Sequence, residues 1–372
     1  MSKDENIWQD VFHAFRCEGD VESISQYGSG HINDTFLVVT KGGNNPNYTF
    51  RCVNTNVFKN IDGLMQNIAY VTEHIQHKIL NDDAYQAAQG MELIRTVDDK
   101  HYYKDKLGHI WTCYTFVPGQ THEHYHNLKL PEQAGQAFGQ FICMLQDLDP
   151  NKLCESIPSF HDINLRLSQW EEAKIQADTK TIAECQAWID FVESRLEAMQ
   201  RLPAMKASAE LPVRITHNDT KCNNVLFNDH DEAVCVIDLD TVMPGVIAYD
   251  FGDAIRTATT SHAEDEKDIN KVKFNREAFD LFTKNYIKQI RAFATDDELL
   301  SLSNTVTYIS FLLGLRFLID HVAGDVYFKT KYRGHNLIRA RNQFRFVEIL
   351  EENQAWIDQV VRQYSQITEK VI

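Results

Sequence analysis

The chain has 372 residues with a formal net charge of −16 at pH 7; 43% of the residues are apolar and 24% are charged. This length allows two or three domains, and the composition is typical of a globular protein that buries a real core. The excess of negative charge argues against nucleic acid and anionic membrane surfaces as partners. A polyanionic substrate would therefore need locally placed cations or a metal ion.

The cysteines and the N-terminal residues indicate the compartment. Eight cysteines are scattered along the chain without a CxxC pair, a pattern that favours neither a zinc site nor a small disulfide scaffold. The opening "MSKDENIWQD" is acidic and polar, so it lacks the charged and apolar regions of a signal peptide. The apolar run "YISFLLGLRFLI" is interrupted by Arg316 and is too short to span a bilayer. We therefore predict a cytoplasmic protein with reduced thiols, in which this run is a core helix.

The first third of the chain is predicted to be a small sheet with one helix. The segments "NDTFLVVT" and "YTFRCV" flank the turn cluster "KGGNNPN", which predicts an antiparallel hairpin. A helix is expected from residue 62 to about residue 80, because apolar residues recur there at spacings of three and four. The segments "MELIRTV" and "IWTCYTF" are expected to add two further strands.

The pattern changes to helical after "FVPGQT", residues 116–121. Apolar residues then fall on one helical face from Pro131 to Leu148, again from Trp188 to Met199, and again from Phe279 to Phe293. The predicted fold is α+β with two lobes, a small sheet lobe over residues 1–117 and a mainly helical lobe over residues 118–372. No internal repeat is visible.

One strand-like island lies inside the helical part, in "ITHNDTKCNNVLFNDHDEAVCVIDLDT", residues 215–241. The apolar pieces "VLF" and "AVCVIDL" are joined by the turn-rich "NDHDE", which predicts a hairpin. Pairing of these strands would return Asn224 and Asp238 to the same end, side by side. Asp219 lies five residues before Asn224, in the loop that leads into the first strand.

This grouping of polar side chains suits a metal and phosphate site. Magnesium takes oxygen ligands, often one or two from protein and the rest from phosphates and water. Asn224 and Asp238 offer two such oxygens, and Asp219 could accept a proton from an attacking hydroxyl, as phosphoryl transfer requires. The alternative is an acidic surface hairpin; the alternating apolar residues disfavour it because they imply partial burial.

The same stretch resembles a known enzyme family. "HNDTKCNN" followed by "IDLD" fits the HxDxxxxN…(I/V)D signature of the aminoglycoside phosphotransferase and choline kinase superfamily, which is related to the protein kinases. Together with "VNTNVFKN", "YDFGDAIR", "GDVYFK" and "GHNL", it looks like the bacterial N-acetylhexosamine 1-kinases. The resemblance implies a two-lobed protein-kinase-like fold. It also implies transfer of phosphate from ATP, with Mg²⁺, to the 1-hydroxyl of N-acetylglucosamine or N-acetylgalactosamine.

The resemblance also implies roles in the central stretch. Asp219 would be the catalytic base, and Asn224 and Asp238 would hold magnesium. His217 is expected to brace the loop. Asp240 is a secondary metal or sugar candidate, because it would point the same way as Asp238 in a strand. The aspartates of "YDFGD", Asp250 and Asp253, are expected to cap or brace neighbouring loops.

The nucleotide side departs from the usual kinase pattern. The glycines of "QYGSGHINDTF" precede a strand and would cover the phosphates, but the expected strand lysine is missing. Arg51 is the nearest cation, with Glu73 on the following helix as a possible partner. The residues assigned to ATP are Gly28, Ser29, Gly30, Arg51, Phe116 and Val117.

The sugar side needs convergent polar groups. Arg316 interrupts an apolar helix, so it is either a salt-bridged core residue or directed into a cleft; the resemblance favours the cleft. The residues assigned to the sugar are His31, Asn33, Asp219, Asp240, Arg316 and Tyr327.

Three other functions stay open at this point. One is a kinase of the same fold acting on another small alcohol, such as another hexose, choline, homoserine or an aminoglycoside. Another is a nucleotide-binding pseudokinase, which the intact Asp219, Asn224 and Asp238 disfavour. The last is a structural scaffold that binds no ATP.

Overall fold

A small antiparallel sheet forms the first part of the molecule. The computed structural model describes residues 5–28, 33–85, 88–260 and 262–367. The strands of this sheet are β1 (Val21–Gln26), β2 (Asp34–Thr40), β3 (Tyr48–Val53), β4 (Leu93–Ile94), β5 (Tyr103–Lys104) and β6 (Ile110–Thr115). The helices beside it are α1 (Glu5–His13) and α2 (Ile61–Asn81).

The strands follow the order β1-β2-β3-β6-β4, with β5 also paired to β6. The predicted hairpin is confirmed, since β2 and β3 pair antiparallel on either side of the turn cluster. The predicted strand over "MELIRTV" contracts to the two residues of β4, and α1 and β1 were not predicted. At the centre of the sheet, Arg51 of β3 faces Thr35 on one side and Thr112 on the other.

The two faces of the sheet carry different side chains because strand residues alternate. Phe50 and Trp111 lie in one apolar cluster with Val11 and Phe12 of α1. Arg51, the next residue along β3, therefore points to the opposite face, toward α2 and the rest of the molecule.

Helices make up most of the second part. They are α3 (Lys129–Leu145), α4 (Ile163–Gln176), α5 (Thr179–Glu193), α6 (Leu196–Met199), α7 (Arg201–Ala207), α8 (Ile247–Ala258), α9 (Arg276–Ile290), α10 (Asp296–Val322), α11 (His335–Glu352) and α12 (Gln354–Ser365). The single helix expected from Trp188 to Met199 is wrong: α5 ends at Glu193, and α6 is a separate turn. Gly135 of α3 lies directly against the backbone of Phe282 in α9, an approach that leaves no space for a side chain.

Helix α10 lies at the centre of these helices and confirms the predicted core helix. It begins with a capping box, in which Thr295 and Glu298 bond each other's backbone amides. By length and apolar composition alone it could cross a membrane, but 78% of its apolar window is buried inside the protein. It packs against α8, α11, α12 and α4, as a core helix of a large helical layer does.

Two short strand pairs hold the central polar segment among the helices. Strand β7 (Arg214–Thr216) pairs with β10 (Met243–Gly245), and β8 (Val225–Phe227) pairs with β9 (Ala233–Val236). The β8–β9 register confirms the predicted hairpin, with Val225 opposite Val236. The Ile237 amide then bonds the Asn224 carbonyl, so Asn224 and Asp238 leave the hairpin at the same end.

Candidate active site

The central loop, residues 217–224, is held by a buried carboxylate of helix α8. Asp250, 1% exposed, accepts hydrogen bonds from the backbone amides of His217 at 2.8 Å and Asn218 at 2.7 Å. Burial raises the pKa of Asp250 to about 6, against the lowering effect of these bonds. The expected loop-bracing role of Asp250 is confirmed. Asp253 does something else: it forms an ion pair with Arg256 at 2.8 Å.

His217 is fully buried, and both of its ring nitrogens contact backbone groups. Its Nε2 lies 2.9 Å from the Ile237 carbonyl oxygen, and its Nδ1 accepts the Asp219 amide at 3.3 Å. The ring therefore connects the central loop to the segment that carries Asp238. This confirms the structural role predicted for His217.

Asp219 projects from this loop with two donors on one of its oxygens. Its Oδ2 accepts from Lys221 Nζ at 2.8 Å and from Asn224 Nδ2 at 3.1 Å. Its Oδ1 accepts no hydrogen bond from any described residue, and the side chain is 25% exposed. Burial opposes the charged form of Lys221, but Asp219 and Asp238 outweigh it and raise the pKa of the ammonium. One carboxylate oxygen thus stays free of described donors in a partly exposed side chain, beside a fixed positive charge.

Lys221 was missed at the sequence level. Its signal was present, two residues after Asp219, but spacing alone does not show that the loop folds the lysine back onto that carboxylate.

Asp238 stands at the end of the hairpin in an unusual backbone conformation. Its φ of 63° and ψ of 59° are left-handed, and residues 239–241 form a 3₁₀ turn. The expectation that Asp238 and Asp240 share a strand face is therefore wrong, because β9 ends at Val236. The two carboxylates nevertheless converge, since both contact the guanidinium of Arg51.

Arg51 reaches these carboxylates from the sheet. It is 9% exposed; its Nη2 lies 2.8 Å from Asp238 Oδ1, and its two terminal nitrogens bond the two oxygens of Asp240 at 3.0 and 2.9 Å. Burial disfavours the charged form, but Asp240 and Asp238 outweigh it and raise the pKa of Arg51. The suggested pairing of Arg51 with Glu73 is wrong: Glu73 bonds Arg95 at 2.6 Å on the surface.

The residues assigned to ATP fall partly within the described structure. Gly28 has a φ of +78°, which glycine adopts without strain, and no described atom lies within 4 Å of the place where a Cβ would stand; Ser29 and Gly30 lie outside the described residues. The neighbouring Tyr27 packs edge-on against Phe116 at 5.5 Å. The glycine segment therefore begins beside the connection that carries Phe116 and Val117. Their contact with adenine stays a prediction.

Arg316 of α10 lies among aromatic rings, where the charge of Asp219 acts on it. Its guanidinium carbon is 5.4 Å from the Phe160 ring centre, 5.8 Å from that of Tyr327 and 5.5 Å from that of Phe328. Burial lowers its pKa, and the charges of Tyr327, Asp219 and Asp253 oppose that shift. Within the described part of the chain, no carboxylate oxygen comes within 4.0 Å of it to form an ion pair.

A second arginine, not foreseen from sequence, lies close to Arg316. Arg166 of α4 donates to the Phe160 carbonyl at 3.2 Å and to Gln169 at 3.0 Å, while its Nε is buried without a described partner. Burial lowers the pKa of Arg166 to about 10, and the charge of Arg316 adds to the shift. Two arginine side chains thus lie close enough for their charges to interact, in a chain that is acidic as a whole.

Tyr327 lies on a loop that one aspartate holds in place. Asp320 of α10, 3% exposed, accepts the backbone amides of Val326, Tyr327 and Phe328 at 2.7–2.9 Å. The Tyr327 side chain is 66% exposed at the edge of the cleft. Tyr327 lies beside Arg316. Its contact with the sugar stays a prediction.

Two further sugar candidates lie near the glycine segment. His31 lies outside the described residues. Asn33 is 6% exposed; its Nδ2 donates to Asp240 Oδ2 at 2.5 Å, and its Oδ1 accepts the Asn54 amide at 2.8 Å. Asn33 thus contacts Asp240, and Asp240 in turn contacts Arg51; the sugar contacts of both residues stay predictions.

The donor set suits a hard divalent cation. Because Asn224 uses its amide nitrogen on Asp219, its amide oxygen is the atom left for a cation, and Asp238 leaves the hairpin at the same end. Oxygen donors of this kind fit Mg²⁺ better than a thiophilic metal. In the described ranges, no group of three or more His, Cys, Asp or Glu is placed to hold a metal ion.

Comparison with known proteins identifies the family. A model described as the phosphotransferase enzyme family, APH, matches residues 23–269, well over half of the chain. The chain belongs to the phosphotransferase enzyme family. Its protein-kinase-like fold agrees with the two-lobed architecture expected from the sequence.

Solved structures of distant phosphotransferases share this fold. The microcompartment-associated aminopropanol kinase superposes with a TM-score of 0.59 at 14% identity, over 95% of this chain and 99% of that one. An amicoumacin kinase in complex with AMP-PNP, Ca²⁺ and Ami gives 0.58 at 14% identity, over 94% of each chain. A choline kinase from Cryptosporidium parvum Iowa II gives 0.54 at 17% identity, over 91% of each. At these identities the likeness concerns the fold.

Proposed function

We propose that this phosphotransferase transfers the γ-phosphoryl group of ATP to the anomeric hydroxyl of N-acetylglucosamine or N-acetylgalactosamine. The products would be ADP and the sugar α-1-phosphate. The motifs that resemble N-acetylhexosamine 1-kinases support this assignment. The observation that carries it is Arg316, which lies over the rings of Phe160, Tyr327 and Phe328 without an ion pair among the described residues, where the charge of Asp219 acts on it.

The charge of the cleft favours a neutral, hydroxyl-rich acceptor. Arg316 and Arg166 place two cations on the proposed acceptor side, and like charges in a poorly solvated site repel strongly. A choline kinase or an aminopropanol kinase handles an acceptor that carries a cation. A sugar carries hydroxyl and acetamide oxygens, which accept hydrogen bonds from guanidinium groups. The same argument disfavours choline and aminoglycosides here.

Asp219 would act as the base. Its open Oδ1 would accept the proton of the attacking hydroxyl, while Lys221 and Asn224 fix its other oxygen. Asn224 and Asp238 would hold Mg²⁺, which neutralises charge on the ATP phosphates when bound. Lys221 would supply a further positive charge close to the transferred group.

The remaining assigned residues divide between the two substrates. Arg51 and the segment of Gly28, Ser29 and Gly30 would contact the phosphates, and Phe116 and Val117 would lie against adenine. Around the sugar, Arg316 would bind hydroxyl oxygens, with Tyr327 and His31 at the edge of the pocket. Asn33 and Asp240 are the remaining sugar candidates, but their oxygens already accept hydrogen bonds within the protein: Asp240 accepts from Arg51, and Asn33 accepts from the Asn54 amide.

Phosphorus NMR tests the reaction directly. The protein is incubated with Mg-ATP and, separately, N-acetylglucosamine, N-acetylgalactosamine, glucose, choline and homoserine. We expect an anomeric sugar phosphate signal together with ADP for an N-acetylhexosamine. ADP formed only with choline or homoserine would reject the sugar assignment and keep the phosphotransferase; binding of Mg-ATP with no turnover would favour a sensor. The Arg316→Met variant should form the sugar phosphate more slowly at low sugar concentration, because its KM for the sugar is raised, while it still binds Mg-ATP.

A further inference from the structure

The only described ion pairs of Arg51 join the sheet to the segment that carries the proposed metal ligand. Arg51 lies on β3, and its partners Asp238 and Asp240 come 187 and 189 residues later. Asp240 meets both terminal nitrogens of the guanidinium, a two-pronged contact that fixes the plane of the group. Asp238 meets only one nitrogen.

The helix glutamate that pairs with a strand cation in protein kinases has no counterpart bonded to Arg51 among the described residues. In protein kinases, a lysine on the third strand of the sheet pairs with a glutamate of the next helix, and that pair places the lysine on the ATP phosphates. Here Glu73 of the corresponding helix α2 is 60% exposed and bonds Arg95. The helix therefore does not orient Arg51.

We propose that Asp240 is the positioning residue for the nucleotide: it holds Arg51 toward the ATP phosphates, in the role that a helix glutamate has in protein kinases. This inference rests on the proposed ATP chemistry and not on the identity of the acceptor. Asp238 is the weaker support, because it meets the guanidinium through Oδ1 alone and a cation bound by the same carboxylate would repel the guanidinium. Asp240 keeps Arg51 in place in either state.

Asn33 completes the support of Asp240. Its side-chain nitrogen bonds Asp240, and its side-chain oxygen accepts the Asn54 amide at 2.8 Å. Asn33, Arg51 and Asp240 are each no more than 9% exposed. A carboxylate fixed by three donors in a buried site has little freedom to turn toward another ligand. The arrangement therefore suits orientation of Arg51 better than direct binding of metal or sugar.

Nucleotide binding without any acceptor tests this role. Affinities for Mg-ATP, and for ADP without a divalent cation, are measured by calorimetry for wild type, Asp240→Asn and the matched control Glu73→Gln. We expect Asp240→Asn to weaken both affinities at least tenfold and to raise KM for ATP, with KM for the acceptor unchanged. Glu73→Gln should change neither affinity by more than twofold, because Glu73 lies outside the network.

A second variant covers the case in which Asp240→Asn does not fold. Arg51→Lys keeps the charge that neutralises Asp240 but cannot make the two-pronged contact; we expect at least a fivefold loss of ADP affinity. The proposal is overturned if Arg51→Lys or a folded Asp240→Asn binds nucleotide like wild type, or if Glu73→Gln weakens binding as much as Asp240→Asn. A wild type that binds ATP but phosphorylates no sugar would reject only the acceptor assignment. A wild type that binds no ATP would reject both proposals.

Discussion

Replacing Asp219 by asparagine tests the proposed base with the smallest change of shape. Both described donors to this side chain, Lys221 at 2.8 Å and Asn224 at 3.1 Å, contact Oδ2. The new amide must therefore turn its oxygen toward them, since an NH₂ group there would face two donors. Each such mismatch would cost about 1–3 kcal/mol. The NH₂ group then takes the place of Oδ1, where it cannot accept a proton from the acceptor hydroxyl.

We expect Asp219→Asn to bind Mg-ATP and N-acetylglucosamine like wild type but to lose about 10²–10⁴-fold in kcat, the usual contribution of a general base. This loss corresponds to about 3–5 kcal/mol in the barrier. ADP release at saturating substrates measures kcat, and calorimetry measures binding. The control is Asp231→Asn, which removes a carboxylate at the far, turn end of the same hairpin and should leave kcat unchanged. A kcat of Asp219→Asn within tenfold of wild type would refute the reasoning.

Three further changes have defined outcomes. Arg316→Met should raise KM for the sugar about 10–100-fold with KM for ATP unchanged, because a charged hydrogen bond contributes about 1.5–3 kcal/mol; an equal rise in both values would contradict the acceptor-side position. Burial raises the pKa of Asp250 to about 6, above its value of 3.8 in the unfolded chain. Folding therefore favours the protonated carboxyl, and this contribution to the free energy of unfolding is complete below pH 3.8 and is lost as the pH rises through 6. Wild type should accordingly lose about 3 kcal/mol of unfolding free energy relative to Asp250→Asn between about pH 4 and pH 7, measured with denaturant; a constant difference would show that the shift is absent. Gly135→Ala should destabilise the protein by about 1–3 kcal/mol, because its Cβ would meet the Phe282 carbonyl; an unchanged denaturation midpoint would show that α3 and α9 can separate freely.

The local parts of the site could be predicted from the sequence. Alternating apolar residues and a turn cluster specify the β8–β9 hairpin, and its register then brings Asn224 and Asp238 together. His217 and Asp250 were likewise expected to brace loops, and their hydrogen bonds confirm it. The hairpin inference needs only neighbours in sequence and a turn of known spacing; for His217 and Asp250 the role was expected but not the partner.

The long-range parts could not be predicted in the same way. The choice of Arg51 between Glu73 and Asp240 depends on how the helical part docks on the sheet, and no local pattern specifies that docking. Asp238 was expected in a strand, but its left-handed backbone ends the strand early. Arg166 and Arg316 come together only because α4 and α10 pack against each other. Packing between distant elements thus decided which charges meet.

The two amide bonds to Asp250 also set how the central loop moves. Loops usually exchange their amide protons quickly, because brief local opening exposes them. The amides of His217 and Asn218 are instead bonded to a buried carboxylate of α8, a helix that packs on α10. Their amide protons should therefore exchange with solvent as slowly as the amide protons of the helical core. The loop that carries Asp219 would then unfold together with that core, so that partial denaturation would abolish activity and core structure in a single transition.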